Sequence, residues 1–244
     1  MRVRRPYRTD VSDARWALIE PVFTAWRARR TGPGTAARVH DLREIVNAIL
    51  YVNRTGIPWE YLPHDFPPYK TVYDYHSKWE TDGTTQQVHD LLRDKTRRAH
   101  GRSTEPTAAV VDAQSVMTSV NVAEISQGID AGKKIKGRKR HLVTDTLGLV
   151  LAVLVNHGAR LGIDLEVGQR PRVKGFEPLT KRWVIERTFG WLMQHGRLAR
   201  DYEALPQRSR TMIQWAMANK MSRELAGESV PTWRIEKDIP LTPA

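Results

Sequence analysis

The sequence predicts an α/β (α+β) protein in which a helical N-terminal region precedes a mixed strand-and-helix core. Three observations lead there. Apolar residues recur at helical spacing through about the first hundred positions, the pattern changes to strand-like runs from about residue 104, and helical spacing returns near residue 180. With 244 residues, 40% of them hydrophobic, the chain can hold one large domain or two modest ones. The organisation read from these changes is 1–103 helical, 104–225 the core, and 226–244 a tail.

The N-terminal helices come first. Ser12 is placed to cap a helix carrying Trp16, Ile19, Val22, Phe23 and Trp26 on one face. "RRTGPGTAAR" (29–38) is a Gly/Pro loop. From Asp41, residues Leu42, Ile45, Val46, Ile49 and Leu50 mark an amphipathic helix, which "RTGIPWEYLPHDFPPYK" (54–70) breaks. Thr71 reads as the cap of a short helix bearing Val72, Tyr75 and Trp79, and a further stretch centres on Val88, Leu91 and Leu92. Short helices joined by Pro/Gly turns in basic surroundings fit a helix-turn-helix-like DNA-binding module. They equally fit a small bundle that packs on its neighbour, and periodicity alone does not separate the two.

"TAAVVDAQ" (107–114) then reads as a strand. "RHLVTDTLGLVLAVLV" (140–155) reads as two strands around a tight turn at Thr146–Gly148, and "LGIDLEV" (161–167) alternates as a fourth. Helices follow over 180–200 and 208–225, the latter with Met212, Ala216 and Met217 at helical spacing.

Composition narrows the function classes. A net charge of +12, carried mostly by arginine, points to a polyanion, and nucleic acid is the first candidate. The absence of cysteine excludes disulfides, Cys-ligated zinc and a thiol nucleophile. No apolar run reaches membrane-spanning length, and the basic N-terminus lacks the apolar segment of a signal peptide, so a cytoplasmic protein with no membrane partner is expected.

Two carboxylates stand out. Asp112 ends the apolar run of "AVVDAQSV", and Glu186 lies beside the stripe Ile185, Thr188, Phe189 and Leu192 in "KRWVIERTFGWL", with Arg182 and Arg187 close by. Taken singly, each reads as a surface turn or an ion pair. A strand carboxylate and a helix carboxylate together are what a two-metal phosphoryl-transfer site uses, with Mg²⁺ or Mn²⁺ as the hard cation. Between them, Lys133, Lys134, Lys136, Arg138, Lys139 and Arg140 form a dense cationic segment able to follow a DNA backbone.

"AVVDAQSV", "DAGKKIKGRKRHLVTDTLGLVLAV", "RWVIERTFGWL" and "RLARDYEALP", in this order, resemble the insertion-sequence transposases of the IS5 family, and "WEYLPHDFPPYKTVYDYHSKW" resembles the helical domain that precedes their core. The resemblance implies a ribonuclease-H-like core with an Asp–Asp–Glu metal triad that cuts and rejoins element ends. On it, Asp112 is the first carboxylate, Glu186 the last, and Arg182 the arginine preceding that glutamate. Terminal inverted repeats and target DNA are the implied partners, with a homo-oligomer as the acting form. The second aspartate is the departure. "LAVLVNH" runs through "GAR" almost directly into "LGIDLEV", where a further strand and that Asp are expected, and only 74 positions (186 − 112) separate the outer carboxylates. This reads as an internal deletion near 156–161 that truncates the core and leaves the transposase defective, or a non-catalytic DNA-binding remnant. Asp164 and Asp145 are the substitutes to weigh, and ordinary strand positions are the plainer reading of both.

Overall fold

A computed structural model describes residues 4–30, 40–156 and 182–229. The loop at 31–38, the strand expected at 161–167 with Asp164, the site of the expected deletion after Asn156 and most of the tail lie outside the described residues. Among the described residues, seven helices and a four-stranded antiparallel sheet follow in the order α1 (Asp13–Ala28), α2 (Leu42–Thr55), α3 (Tyr69–Thr81), α4 (Thr84–Ala99), β1 (Ala109–Met117), β2 (Gly128–Asp130), β3 (Ile135–Asp145), β4 (Val150–Asn156), α5 (Arg182–Met193), α6 (Gly196–Ala199) and α7 (Pro206–Leu225).

The first two helices start where capping chemistry places them. Ser12 accepts the backbone N–H of Arg15, and Asp41 accepts that of Arg43. Helix α2 ends on Gly56 at φ 77°, a left-handed turn that glycine adopts without strain. Helix α3 differs from expectation at its start. It begins at Tyr69 behind Pro68 and puts Thr71 inside its first turn, because proline's locked φ sets up the entry to a helix.

One hydrophobic core runs through all of this. Ile45, Val46 and Ile49 of α2 are fully buried, and Trp79 of α3 sits among Phe23, Trp26, Tyr75 and Trp215. Trp215 belongs to α7, which lies along α4 and also meets β4. The C-terminal helix therefore completes the N-terminal bundle and supports the sheet. Buried polar groups join the same elements: Arg15 of α1 donates to Asn219 Oδ1 (2.7 Å) and Ser222 Oγ (3.1 Å) of α7. No helix among the described residues is long and apolar enough to cross a membrane.

In the sheet, β3 pairs with β1 on one side and with both β2 and β4 on the other. Among the described strands, β1 forms an edge. The register sets Asp112 opposite Leu142 and Ala109 opposite Asp145. Strand β3 starts five residues earlier than the sequence pattern suggests, so most of the cationic segment expected to be a loop is strand. Alternation then decides which cations face inward, since successive side chains point to opposite faces. Arg138, Arg140, Leu142 and Thr144 are all buried on the same face.

Candidate functional site

Asp112 stands in the middle of β1, half-buried, on the face it shares with Leu142. One carboxylate oxygen accepts the backbone N–H of the following residue, Ala113, at 2.8 Å. Helix α5 lies against β1, so the fold brings the two carboxylate-bearing elements together. Its buried face is Val184, Ile185, Thr188 and Leu192, which leaves Glu186 on the exposed side of the helix. Arg182 is the first residue of α5.

The position of α5 is fixed by the turn between β3 and β4. Thr188 donates its hydroxyl to Gly148 O at 2.8 Å, and Arg187 donates to Leu147 O at 2.8 Å. A β-carbon on Gly148 would come within 2.9 Å of Thr188 Oγ1, so the turn needs glycine both for its φ of 81° and for this approach. The Arg187 guanidinium also stacks between Trp183 and Trp191, 4.6 Å and 4.9 Å from their ring centroids. Expected as a DNA contact, Arg187 ties its helix to the sheet through Leu147 and remains exposed to solvent.

Asp145 is no ligand. It is fully buried, accepts the N–H groups of Leu147 and Leu149 at 2.9 Å each, and pairs with Arg97. A carboxylate saturated in this way is the hinge of the turn and the anchor of α4 to the sheet. Among the described residues, no three His, Cys, Asp or Glu side chains come together in a way that could hold a metal ion. Asp112 and Glu186 are hard oxygen donors suited to Mg²⁺, but the described residues add no third, so the donor set falls short of a metal centre.

The cationic segment divides in two. Arg138 and Arg140, each 1% exposed, cannot reach a phosphate, which corrects their assignment to the DNA surface. Arg138 donates to Ser126 O, Ser126 Oγ, Glu203 O and Ala204 O at 2.7–2.9 Å, with Asp201 Oδ1 at 3.3 Å. Arg140 donates to Leu198 O at 2.6 Å and to Arg200 O at 3.3 Å. Together they tie β3 to α6 and to the loop that follows it. The physical reason is the alternation of β3, which a loop reading of the segment conceals.

The lysines behave differently. Lys133, Lys134 and Lys136 are exposed at the tip of the β2–β3 hairpin, and Lys139 is half-buried on the outer face. Lys136 pairs with Glu124 at 2.7 Å and Lys139 approaches Asp130 at 3.5 Å. Hydrogen bonds from the Ser115 hydroxyl and the Lys133 N–H hold the Asp130 carboxyl below the usual carboxylate range. These surface pairs are weak and easily exchanged for phosphate contacts.

Sequence reasoning missed that much of the positive charge is structural. Arg15, Arg97, Arg138, Arg140, Arg197 and Arg223 are all buried. A signal was present for two of them, because "GRKRHLV" alternates Arg138, Arg140 and Leu142 at period two.

The chain matches family models along most of its length. Residues 11–89 match a model described as a transposase of IS4/5 family, and residues 103–161 and 150–221 match two models described as Transposase DDE domain. No curated protein and no solved structure matches the chain.

Proposed function

The chain belongs to the IS4/IS5-like DDE transposases, and on that premise we propose that it binds the DNA of insertion-sequence ends but does not cut it. The observation that carries this reading is the pairing of a well-placed first carboxylate with an incomplete set. Asp112 sits on a rigid strand and Glu186 on the helix packed beside it, yet no third carboxylate joins them among the described residues. An internal deletion after β4, removing the second aspartate of the family pattern, accounts for this. The divalent ion of the family would contribute Lewis-acid activation of a phosphodiester and its attacking oxygen. Asp112 and Glu186 are the residues that would hold that ion, and two carboxylates on neighbouring elements fall short of the three that the family pattern calls for.

DNA binding is assigned to the lysine tip of the β2–β3 hairpin, Lys133, Lys134 and Lys136, with Lys139 behind it and Arg182 and Arg187 at the α5 end. The N-terminal bundle supplies the second DNA-binding surface in this reading. The binding part is tested by fluorescence anisotropy on a labelled duplex carrying the element's inverted repeat, over a range of salt. Removing one cation that neutralises a phosphate should reduce the slope of log K against log salt by about 0.9. Replacing Lys133, Lys134 and Lys136 with Ala should therefore flatten the slope by roughly 2–3. An unchanged slope would remove the hairpin from the interface.

Full transposition is the second reading, favoured by the DDE domain matches at 103–161 and 150–221. It requires a third carboxylate, for which Asp164 is the nominee.

A further inference from the structure

Past Gly137 the described sheet narrows to a two-stranded ribbon. Pairing of β1 with β3 ends at Met117 and Gly137, and pairing of β4 with β3 stops at Lys139. Beyond that point only β2 accompanies β3, with Ile129 opposite Lys136 and Asp130 opposite Ile135. The root of the ribbon is held by buried Arg138, whose guanidinium donates to Ser126, Glu203 and Ala204. A β-carbon on Gly137 would lie 1.9 Å from Val116 O, so β1 and β3 close tightly there.

Cross-strand partners share a face, and the two faces of this ribbon differ. On one face Asp130 is occupied. It accepts from the Ser115 hydroxyl and from the Lys133 backbone N–H at 3.1 Å, with Lys139 3.5 Å away. On the other face Ile129 is 75% exposed beside Lys136. Lys136 pairs with Glu124, whose neighbour in the chain, Ile125, is 90% exposed. At the tip, Lys134 is held at φ 53°, the one residue other than glycine at positive φ among the described residues. Glycine would take this conformation without strain, so a lysine there carries its charge at a conformational cost.

These features fit one occupant. The exposed Lys133, Lys134 and Lys136 attract a polyanion. Two strands about 4.8 Å apart, with their side chains, fill the major groove of B-DNA, about 12 Å wide, and are too broad for the minor groove, about 6 Å wide. Isoleucine brings no donor or acceptor to a base edge. The apolar group that the major groove exposes is the C5-methyl of thymine, which has no counterpart in the minor groove. We propose that the β2–β3 ribbon enters the major groove of double-stranded DNA and that Ile129 reads thymine there by contact with its methyl, while Lys133, Lys134 and Lys136 take flanking phosphates. This rests on the assignment of the lysine tip to DNA and adds a base-reading residue to it.

The test uses the full chain and two labelled duplexes carrying the element's inverted repeat, one with thymine and one with uracil in its place, compared by anisotropy at one salt concentration. Uracil keeps every hydrogen-bonding group of thymine and lacks only the methyl. Wild-type protein should bind the uracil duplex roughly fourfold more weakly for each methyl contacted, the worth of one buried methyl. Ile129→Ser should bind both duplexes alike, at the affinity wild type shows for uracil, and Ile129→Val should retain the preference. The exposed position leaves the fold intact in both variants, which their thermal midpoints check. Equal wild-type binding to the two duplexes, or a preference that survives Ile129→Ser, overturns the proposal. An Ile129→Ser protein that loses self-association and keeps the preference overturns it too, because the face is then a contact between copies. The salt slope separates this failure from failure of the assignment beneath it. If the triple lysine variant keeps the wild-type slope, the ribbon does not meet DNA and both fall. If that slope flattens while uracil changes nothing, the ribbon follows phosphates only and the reading of thymine alone falls.

Discussion

Lowering the pH from 7.5 to 5.0 should destabilise the fold by about 4 kcal/mol, and two histidines are the reason. His76 is fully buried on α3, its ring tilted against Trp59 with centroids 5.4 Å apart, and neither ring nitrogen has a hydrogen-bond partner among the described residues. Burial, then Arg208 and Arg197, push its pKa down to about 3. His195 is likewise held down to about 3, by burial and then by Arg54 and Arg223. Both rings are neutral in the folded protein and titrate near 6.5 in the unfolded chain. Below 6.5 the unfolded state binds more protons, so stability is present above that pH and drains away as pH falls towards 3. At pH 5.0 each ring is about 1.5 pH units below its unfolded value, which costs about 2 kcal/mol per histidine. His141, lowered by burial, adds in the same direction. The depressed carboxyls of Asp82 and Asp90 titrate below this window, and Asp10, raised by burial, opposes weakly at its acid edge. Urea unfolding followed by tryptophan fluorescence at pH 7.5, 6.5, 5.5 and 5.0 reads the effect. His76→Leu should remove about half of the pH dependence. Stability that is flat or rises from pH 7.5 to 5.0, or a slope unchanged in His76→Leu, would refute the burial argument.

Other consequences follow from packing. Trp79→Ala removes a fully buried ring from between the bundle and α7 and should cost about 3–5 kcal/mol in urea unfolding. Gly196→Ala would bring a β-carbon within 2.8 Å of Thr55 O, so α2 and α6 must separate; a loss of about 1–3 kcal/mol is expected by calorimetry. Arg138→Met leaves buried carbonyls of Glu203 and Ala204 without donors and should cost about 3–5 kcal/mol of stability. In folded Arg138→Met protein the salt slope of DNA binding stays at its wild-type value, whereas the triple lysine variant shows the reverse, a flattened slope with wild-type stability.

The helices are largely legible in the sequence because their apolar stripes are wide and their starts carry capping residues, as at Ser12 and Asp41. The start of α3 is misleading because Thr71 looks like a cap, while the proline pair before Tyr69 sets the actual entry. The turn of the β3–β4 hairpin is legible from Thr146 to Gly148, but the length of β3 is not. A run rich in Lys and Arg resembles a solvated loop until its alternation is weighed against the carbonyl-rich loop that buries Arg138 and Arg140. Those carbonyls, at 198–204 in the end of α6 and the loop after it, are some 60 residues away in sequence, and no local pattern announces them. Asp112 and Glu186 are visible as candidates because one ends an apolar run and the other lies beside an apolar stripe. The approach of β1 to α5 is tertiary, and only the family resemblance anticipates it. Arg15 and Arg223 are invisible as structural residues, since nothing local distinguishes a buried arginine from an exposed one.

Element-end DNA is the substrate on which the central claim is decided. Labelled duplex carrying the inverted repeat would be incubated with the full chain and Mg²⁺ or Mn²⁺, then run from the same tubes on native and denaturing gels. The account predicts a shifted band with intact strands, and the same result for Asp112→Asn. Strand cleavage at the repeat end that disappears in Asp112→Asn would contradict it and show a complete catalytic site.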